Sequence, residues 1–171
     1  SVPFTLAVVN SSVSWWITRQ SFASKQGGYY EFKPMYVSTL PIPSATPTQQ
    51  SLCERLAEAL IWLHGNQEGG TGIPACASKP QTRMSVSPFL EQWLNGLVYE
   101  LFFPGELHAR KFKLFDETAK LSPPDLAKLS HSRKLMAMQE LHSKAYDKAA
   151  PLRAMLFDLK SLDVVRVIED V

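Results

Sequence analysis

The residues best suited to chemistry lie near the start of the chain, in Gln26-Gly27-Gly28-Tyr29-Tyr30-Glu31-Phe32-Lys33-Pro34. Two glycines allow positive φ or a close backbone approach to another surface. Two tyrosines and a lysine follow, with Lys25 just before and Arg19 upstream. Aromatic side chains interleaved with cations stack on bases and meet phosphates. The same residues also suit a turn feeding an aromatic core strand. Both roles fit together if Tyr30 and Phe32 face inward while Tyr29, Glu31 and Lys33 face out.

Other chemistries find little footing. The chain has no GxxxxGK[ST] phosphate loop, no GxGxxG, no HExxH and no GxSxG. Gly69-Gly70-Thr71-Gly72 is glycine-rich but lacks the lysine and the preceding strand of a phosphate loop. The histidines, at 64, 108, 131 and 142, are not spaced as metal ligands. Ser122-Pro123-Pro124-Asp125 resembles the catalytic loop of amino-methyltransferases, but Asp125 stands where that loop needs an aromatic to stack on a flipped base. The stretch reads instead as a helix cap. The two cysteines, Cys53 and Cys76, form no CxxC pair, which fits reduced thiols and a cytoplasmic setting.

Composition sets the frame for these residues. A chain of 171 residues with 45% hydrophobic and 20% charged side chains can build a core. No apolar run approaches the roughly 18 residues of a membrane helix. The net charge is +2, unevenly spread: +2 over residues 1–47, −2 over 48–105, +3 over 106–150 and −1 over 151–171. The first and third blocks are therefore where a polyanion partner is expected. Ser1 replaces an initiating Met, and the expectation is a fragment of a longer protein.

The elements follow from spacing. Leu6, Val9, Val13, Trp16 and Ile17 predict one helix over Thr5 to Phe22, with a turn over Ser24 to Gly28. Alternation predicts a strand from Tyr29 to Val37, with Pro34 marking an edge or an end. Leu40-Pro41-Ile42-Pro43 must be extended. Thr48 or Ser51 caps a helix with the stripe Leu52, Leu56, Ala59, Leu60 and Leu63, and Gly65 to Pro80 reads as a long loop. Ser87-Pro88 opens a buried helix carrying Leu90, Leu94, Leu97 and Leu101, flanked by Trp93 and Val98. Further helices are expected over Glu106 to Lys120, after Ser122-Pro123-Pro124 with Leu126, Leu129, Leu135, Met138 and Leu141 inward, and from Leu152 to Val171. The fold class is thus α+β and mostly helical. A small β element near residues 29–37 precedes a bundle-like helical region. Two parts are expected, 1–47 and 48–171.

The run Gly27 to Tyr36 followed by Leu40-Pro41-Ile42-Pro43 resembles the end of the target-recognition domain in TaqI-like and type IIG adenine-specific DNA methyltransferases. Val9-Asn10-Ser11-Ser12 and Trp15-Trp16 resemble the helix preceding that turn. Trp93-Leu94-Asn95-Gly96-Leu97-Val98-Tyr99-Glu100-Leu101-Phe102 resembles the family's Ile-Asp-x-Leu-Val-Tyr-Glu-Leu-Tyr helix, with Asn95 and Gly96 departing from it. The resemblance covers about residues 4–103. It implies the DNA-reading end of a restriction–modification methyltransferase, catalytically silent by itself, with S-adenosylmethionine bound by a missing N-terminal domain. The expected DNA contacts are Arg19, Lys25, Gln26, Gly27, Gly28, Tyr29 and Lys33. The alternative is a helical module that docks the catalytic domain or a partner subunit, or self-associates through exposed apolar faces.

Overall fold

The computed structural model describes residues 1–25, 27–65 and 80–170, and of residues 80–87 the backbone alone. The fold is predominantly helical with one small β element. Helices α1 (Val2–Val9) and α2 (Ser12–Ser21) come first. The hairpin β1 (Ser24–Lys25) and β2 (Tyr29–Tyr30) leads into the short helix α3 (Pro34–Val37). Two long helices, α4 (Pro47–Gly65) and α5 (Pro80–Phe102), dominate the middle. Then follow α6 (Pro104–Ala109), α7 (Leu114–Leu121), a 3₁₀ turn at Leu126–Lys128, α8 (His131–Tyr146), α9 (Pro151–Asp158), a second 3₁₀ turn at Leu159–Ser161, and α10 (Asp163–Glu169).

Helix α5 is the axis of the body, touched by α1, α2, α4, α6, α7, α8 and α9. Its apolar face is broad, so it buries on several sides: Leu90, Trp93, Leu97 and Val98 are inaccessible to solvent. Each such side chain contributes about 1.5–3 kcal/mol relative to exposure. Gly96 is where the helices cross most closely. A Cβ there would lie 2.8 Å from Leu156 Cδ2 and 3.2 Å from both Leu114 Cδ1 and Leu159 Cδ1. The leucine stripe of α4 packs into the same core. So do Phe4, Ala7 and Val8 of α1 and Val13 of α2, which joins residues before and after position 47 in one cluster.

Polar groups fix the joints. Trp93 Nε1–H donates to Thr118 Oγ1 at 2.8 Å, tying α5 to α7. Glu100, 5% exposed, accepts from the Phe115 N–H at 2.9 Å and lies 2.8 Å from His108 Nε2. It thereby supplies an acceptor to the N-terminus of α7, where the Lys113 side chain makes no cap. Cys53 is fully buried as a free thiol, and burial pushes its pKa up to about 12.

Several expected boundaries shift. The predicted helix over Thr5 to Phe22 is two helices. Asn10 and the serines compete for backbone groups: Ser11 Oγ–H and Ser14 Oγ–H both donate to Val8 O, at 2.6 and 2.7 Å, and Ser11 Oγ accepts from the Ser14 N–H at 3.2 Å. Asn95 seals the break, accepting from Ser12 N–H at 2.9 Å and donating to Ser12 Oγ at 3.0 Å. The strand expected from Tyr29 to Val37 stops at Tyr30, because Pro34 opens α3 instead. Helix α4 is capped by Thr46, not Thr48 or Ser51. Thr46 and Gln49 form the reciprocal box, Gln49 N–H donating to Thr46 Oγ1 at 3.3 Å and Thr46 N–H to Gln49 Oε1 at 2.9 Å.

Further along the chain, α5 begins at Pro80 and runs through Pro88, which forgoes one bond of the ladder. Glu106 to Lys120 is broken by Lys111, whose left-handed backbone (φ 63°) ends the first piece. Ser122 terminates α7 with φ 50°, and the caps that follow are Asp125 for the 3₁₀ turn and Ser130 for α8. The terminal helix is likewise split by the 3₁₀ turn at Leu159–Ser161. The long loop expected over Gly65 to Pro80, including Gly69-Gly70-Thr71-Gly72 and Cys76, lies outside the described residues apart from its two ends.

Candidate nucleic-acid interface

Of the expected DNA-contacting residues, Lys25, Gly27, Gly28, Tyr29 and Lys33 gather on an arm between Phe22 and Pro43. Strands β1 and β2 pair antiparallel, Ser24 opposite Tyr30 and Lys25 opposite Tyr29. Gly27 and Gly28 close the turn with φ of 94° and 80°. An L side chain at either position is strained, and at Gly27 a Cβ would also come within 3.2 Å of the Tyr29 ring. Tyr29 therefore leans over the turn, 73% exposed. Gln26, expected beside it, lies outside the described residues.

The base of the arm is anchored by rings. Tyr30 meets Trp15 edge-on at 5.4 Å, and Phe22 meets Phe32 and Tyr36 at the same centroid distance. Phe22 and Leu40 are buried but stand outside the main core cluster. The arm thus has a small apolar centre of its own. Its outer surface carries large apolar groups: Phe32 is 58% exposed and Met35 65%, with Val37 and Ile42 also exposed. Phe32, expected to face inward with Tyr30, is mostly exposed. With the strand ending at Tyr30, alternation no longer governs position 32.

The cations are all partnered. Lys25 Nζ lies 2.8 Å from Glu31 Oε1, and Lys33 Nζ lies 3.0 Å from Glu31 Oε2. These bonds lower the Glu31 pKa and raise that of Lys33. Arg19 is drawn elsewhere. Its Nη1 lies 2.5 Å from Asp170 Oδ2, and its Nη2 donates to Ile168 O at 3.2 Å. It completes the C-terminus of α10, where carbonyls and a carboxylate both favour a guanidinium. Arg19 therefore serves a helix end, while Lys25, Gly27, Gly28, Tyr29 and Lys33 share the arm.

Glu31 is the site residue that the aromatic-cation pattern overlooked. The signal was present only in part: Glu31 stands two residues before Lys33, whereas Lys25 reaches it only because the hairpin folds back. In contrast, the third block displays cations without carboxylate partners among the described residues. Arg110, Lys111 and Lys113 are all exposed on the turn between α6 and α7, which buried Leu107 and Phe112 hold in place.

Away from the arm, a concavity of about 910 Å³ opens between α1, α4, α5 and the C-terminal turn, with Leu6 and Ile61 exposed at its rim. Its polar lining is bonded internally: Asn95 to Ser12, and Tyr99 and Lys160 to Glu169. Among the described residues, no three potential metal ligands come together, and no helix is long and apolar enough to cross a membrane. Compared with known proteins, the chain matches no family model, no curated sequence and no solved structure.

Proposed function

We propose that this chain is a DNA target-recognition module, the reading end of an adenine-specific methyltransferase of a restriction–modification system. The observation that carries the reading is the arm. An exposed tyrosine on a two-glycine turn, with Phe32 beyond it, is flanked by two lysines on the same arm. Aromatic faces stack on or wedge between bases, and lysines contact the phosphates that set register. The resemblance of Gly27 to Pro43 to the methyltransferase family points the same way. In this reading the catalytic steps and S-adenosylmethionine belong to another domain of the parent protein, and the module works in the cytoplasm, where its buried thiol stays reduced.

Fluorescence anisotropy with duplex DNA over a salt series tests this. Binding should weaken steeply with salt and prefer some sequences over a randomised competitor. The Lys25→Gln/Lys33→Gln variant should flatten the log–log slope by about 0.9 for each phosphate no longer neutralised. Absence of binding at low salt, or a slope unchanged in the variant, overturns the assignment.

The exposed Leu6 and Ile61 at the rim of the concavity between α1, α4 and α5 favour a second reading, a helical module that docks a catalytic domain or partner subunit. That reading requires concentration-dependent association or capture of a partner. A monomer with salt-sensitive DNA affinity argues against it.

A further inference from the structure

Glu31 occupies an unusual place for an acid on a surface meant to meet DNA. Its two oxygens are divided between two lysines, one ammonium on each, at 2.8 and 3.0 Å. Two cations gripping two oxygens of one anion is also the arrangement with which a pair of lysines holds the non-bridging oxygens of a phosphate. The backbone fixes the acid in position. The Glu31 N–H donates to Ala23 O at 3.0 Å, continuing the hairpin past Tyr30. The carboxylate side chain is 21% exposed, whereas those of Lys25 and Lys33 are 62% and 55% exposed. The lysines therefore lie on the outside and bend in towards the acid. Among the described residues, neither lysine pairs with a second carboxylate.

We propose that Glu31 is a built-in stand-in for a DNA phosphate: it holds Lys25 and Lys33 at the spacing of one phosphodiester and releases them when the duplex arrives. The inference rests on the DNA-recognition reading above. Its consequence is a change in what the arm rewards. Free lysines attract any polyanion, and this sequence-independent term dominates non-specific binding. Lysines already bound to a carboxylate gain little from a phosphate alone, because one ion pair is exchanged for another. The net gain must then come from the exposed rings, which reach bases only where the duplex suits them. The carboxylate also keeps both lysines ordered, so less side-chain freedom is lost on docking.

The experiment compares wild type, Glu31→Gln, Lys25→Gln/Lys33→Gln and the triple variant for binding to a short DNA duplex across a salt series. Glu31→Gln should bind about three- to tenfold more tightly at low salt, the range expected for releasing two exposed ion pairs. Its log–log slope should stay close to that of wild type, because the same two lysines reach the same phosphate contacts in both complexes. The gain should vanish in the triple variant compared with Lys25→Gln/Lys33→Gln. Near-UV circular dichroism, sensitive to the Trp15–Tyr30 contact, reports whether the arm is intact, and Glu31→Thr, a neutral strand former, replaces Gln if it is not. Wild-type binding with no gain in the neutral variant, or a gain that persists without the lysines, overturns this inference alone. No binding by any variant at low salt overturns the DNA reading and this inference with it.

Discussion

The helical body and the arm of residues 22–43 use their large apolar side chains in opposite ways. In the body, Trp93 is wholly buried, its ring packed within the core and its N–H given to Thr118. In the arm, Tyr29, Phe32 and Met35 are mostly exposed, and the apolar centre beneath them is little more than Phe22, Tyr36 and Leu40. Exposing such groups forgoes about 1.5–3 kcal/mol of burial for each. A fold that buries Leu90, Leu97 and Val98 completely has not run short of packing capacity. The difference teaches that the body supplies stability while the arm displays a surface. It also separates two kinds of charge. The arm's two lysines share one carboxylate, Glu31, whereas Arg110, Lys111 and Lys113 stand, among the described residues, without carboxylate partners on a turn held by the body.

The sharpest way to break the body without touching the arm is at Gly96. Three leucine methyls from α7, α9 and the following 3₁₀ turn already crowd the space where a side chain would start. Gly96→Val should lower stability by about 3 kcal/mol through overpacking, more than its gain in helix propensity offsets. Urea denaturation measures this directly. A midpoint equal to wild type would mean that the crossing relaxes freely, and that α5 is not a tightly packed axis.

A smaller effect is expected with pH. His142 lies stacked on Tyr146 at 5.2 Å with the edge of Phe89 at 5.5 Å, and burial lowers its pKa below the ordinary 6.5. Arg153, whose guanidinium lies 4.8 Å from the centroid of the same Tyr146 ring, adds a cation to this cluster. The folded state thus binds a proton less readily than the unfolded one. This contribution to stability is complete above about pH 6.5 and declines as pH falls through that value towards the lowered folded pKa. The urea midpoint should be lower at about pH 5.5 than at about pH 7.5. His142→Phe should reduce that drop, and an equal drop in the variant would assign the pH dependence to other groups.

Periodicity made the body legible and left the joints obscure. Leu52, Leu56 and Leu63 on α4, and Leu90, Leu94 and Leu97 on α5, are buried as their spacing demands. The breaks depend on features that spacing does not register. Asn10 and Ser11 end one helix and start another because their side chains bond to nearby backbone, and Asn95, more than eighty residues away, completes the joint. Lys111 breaks a helix by adopting a backbone that lysine rarely takes, at a cost of about 1–2 kcal/mol. In the candidate site, the two glycines announced the turn, and Glu31 stands two residues from Lys33, but its second partner, Lys25, comes to it only through the fold of the hairpin. The pairing of Arg19 with Asp170 could not be read, since it joins the two ends of the fold. Arg19 looked like a free cation because its partner is distant in sequence.

The smallest effect on stability is expected where the surface reading is strongest. Tyr29 is 73% exposed, its ring edge lying over the position a Cβ on Gly27 would occupy. Tyr29→Ser should therefore change stability by no more than about 0.5 kcal/mol, as surface substitutions generally do. If the ring stacks on a base, the same change should weaken duplex binding by about 1–3 kcal/mol, roughly five- to a hundredfold, with the salt slope unaltered because the lysines still neutralise the same phosphates. Urea denaturation and anisotropy on one protein sample read the two quantities side by side. A large loss of stability would show that Tyr29 belongs to the packing of the arm. Unchanged stability with unchanged affinity would show that the exposed ring does not reach DNA, leaving the lysines, or the cations at 110, 111 and 113, to account for any binding that remains.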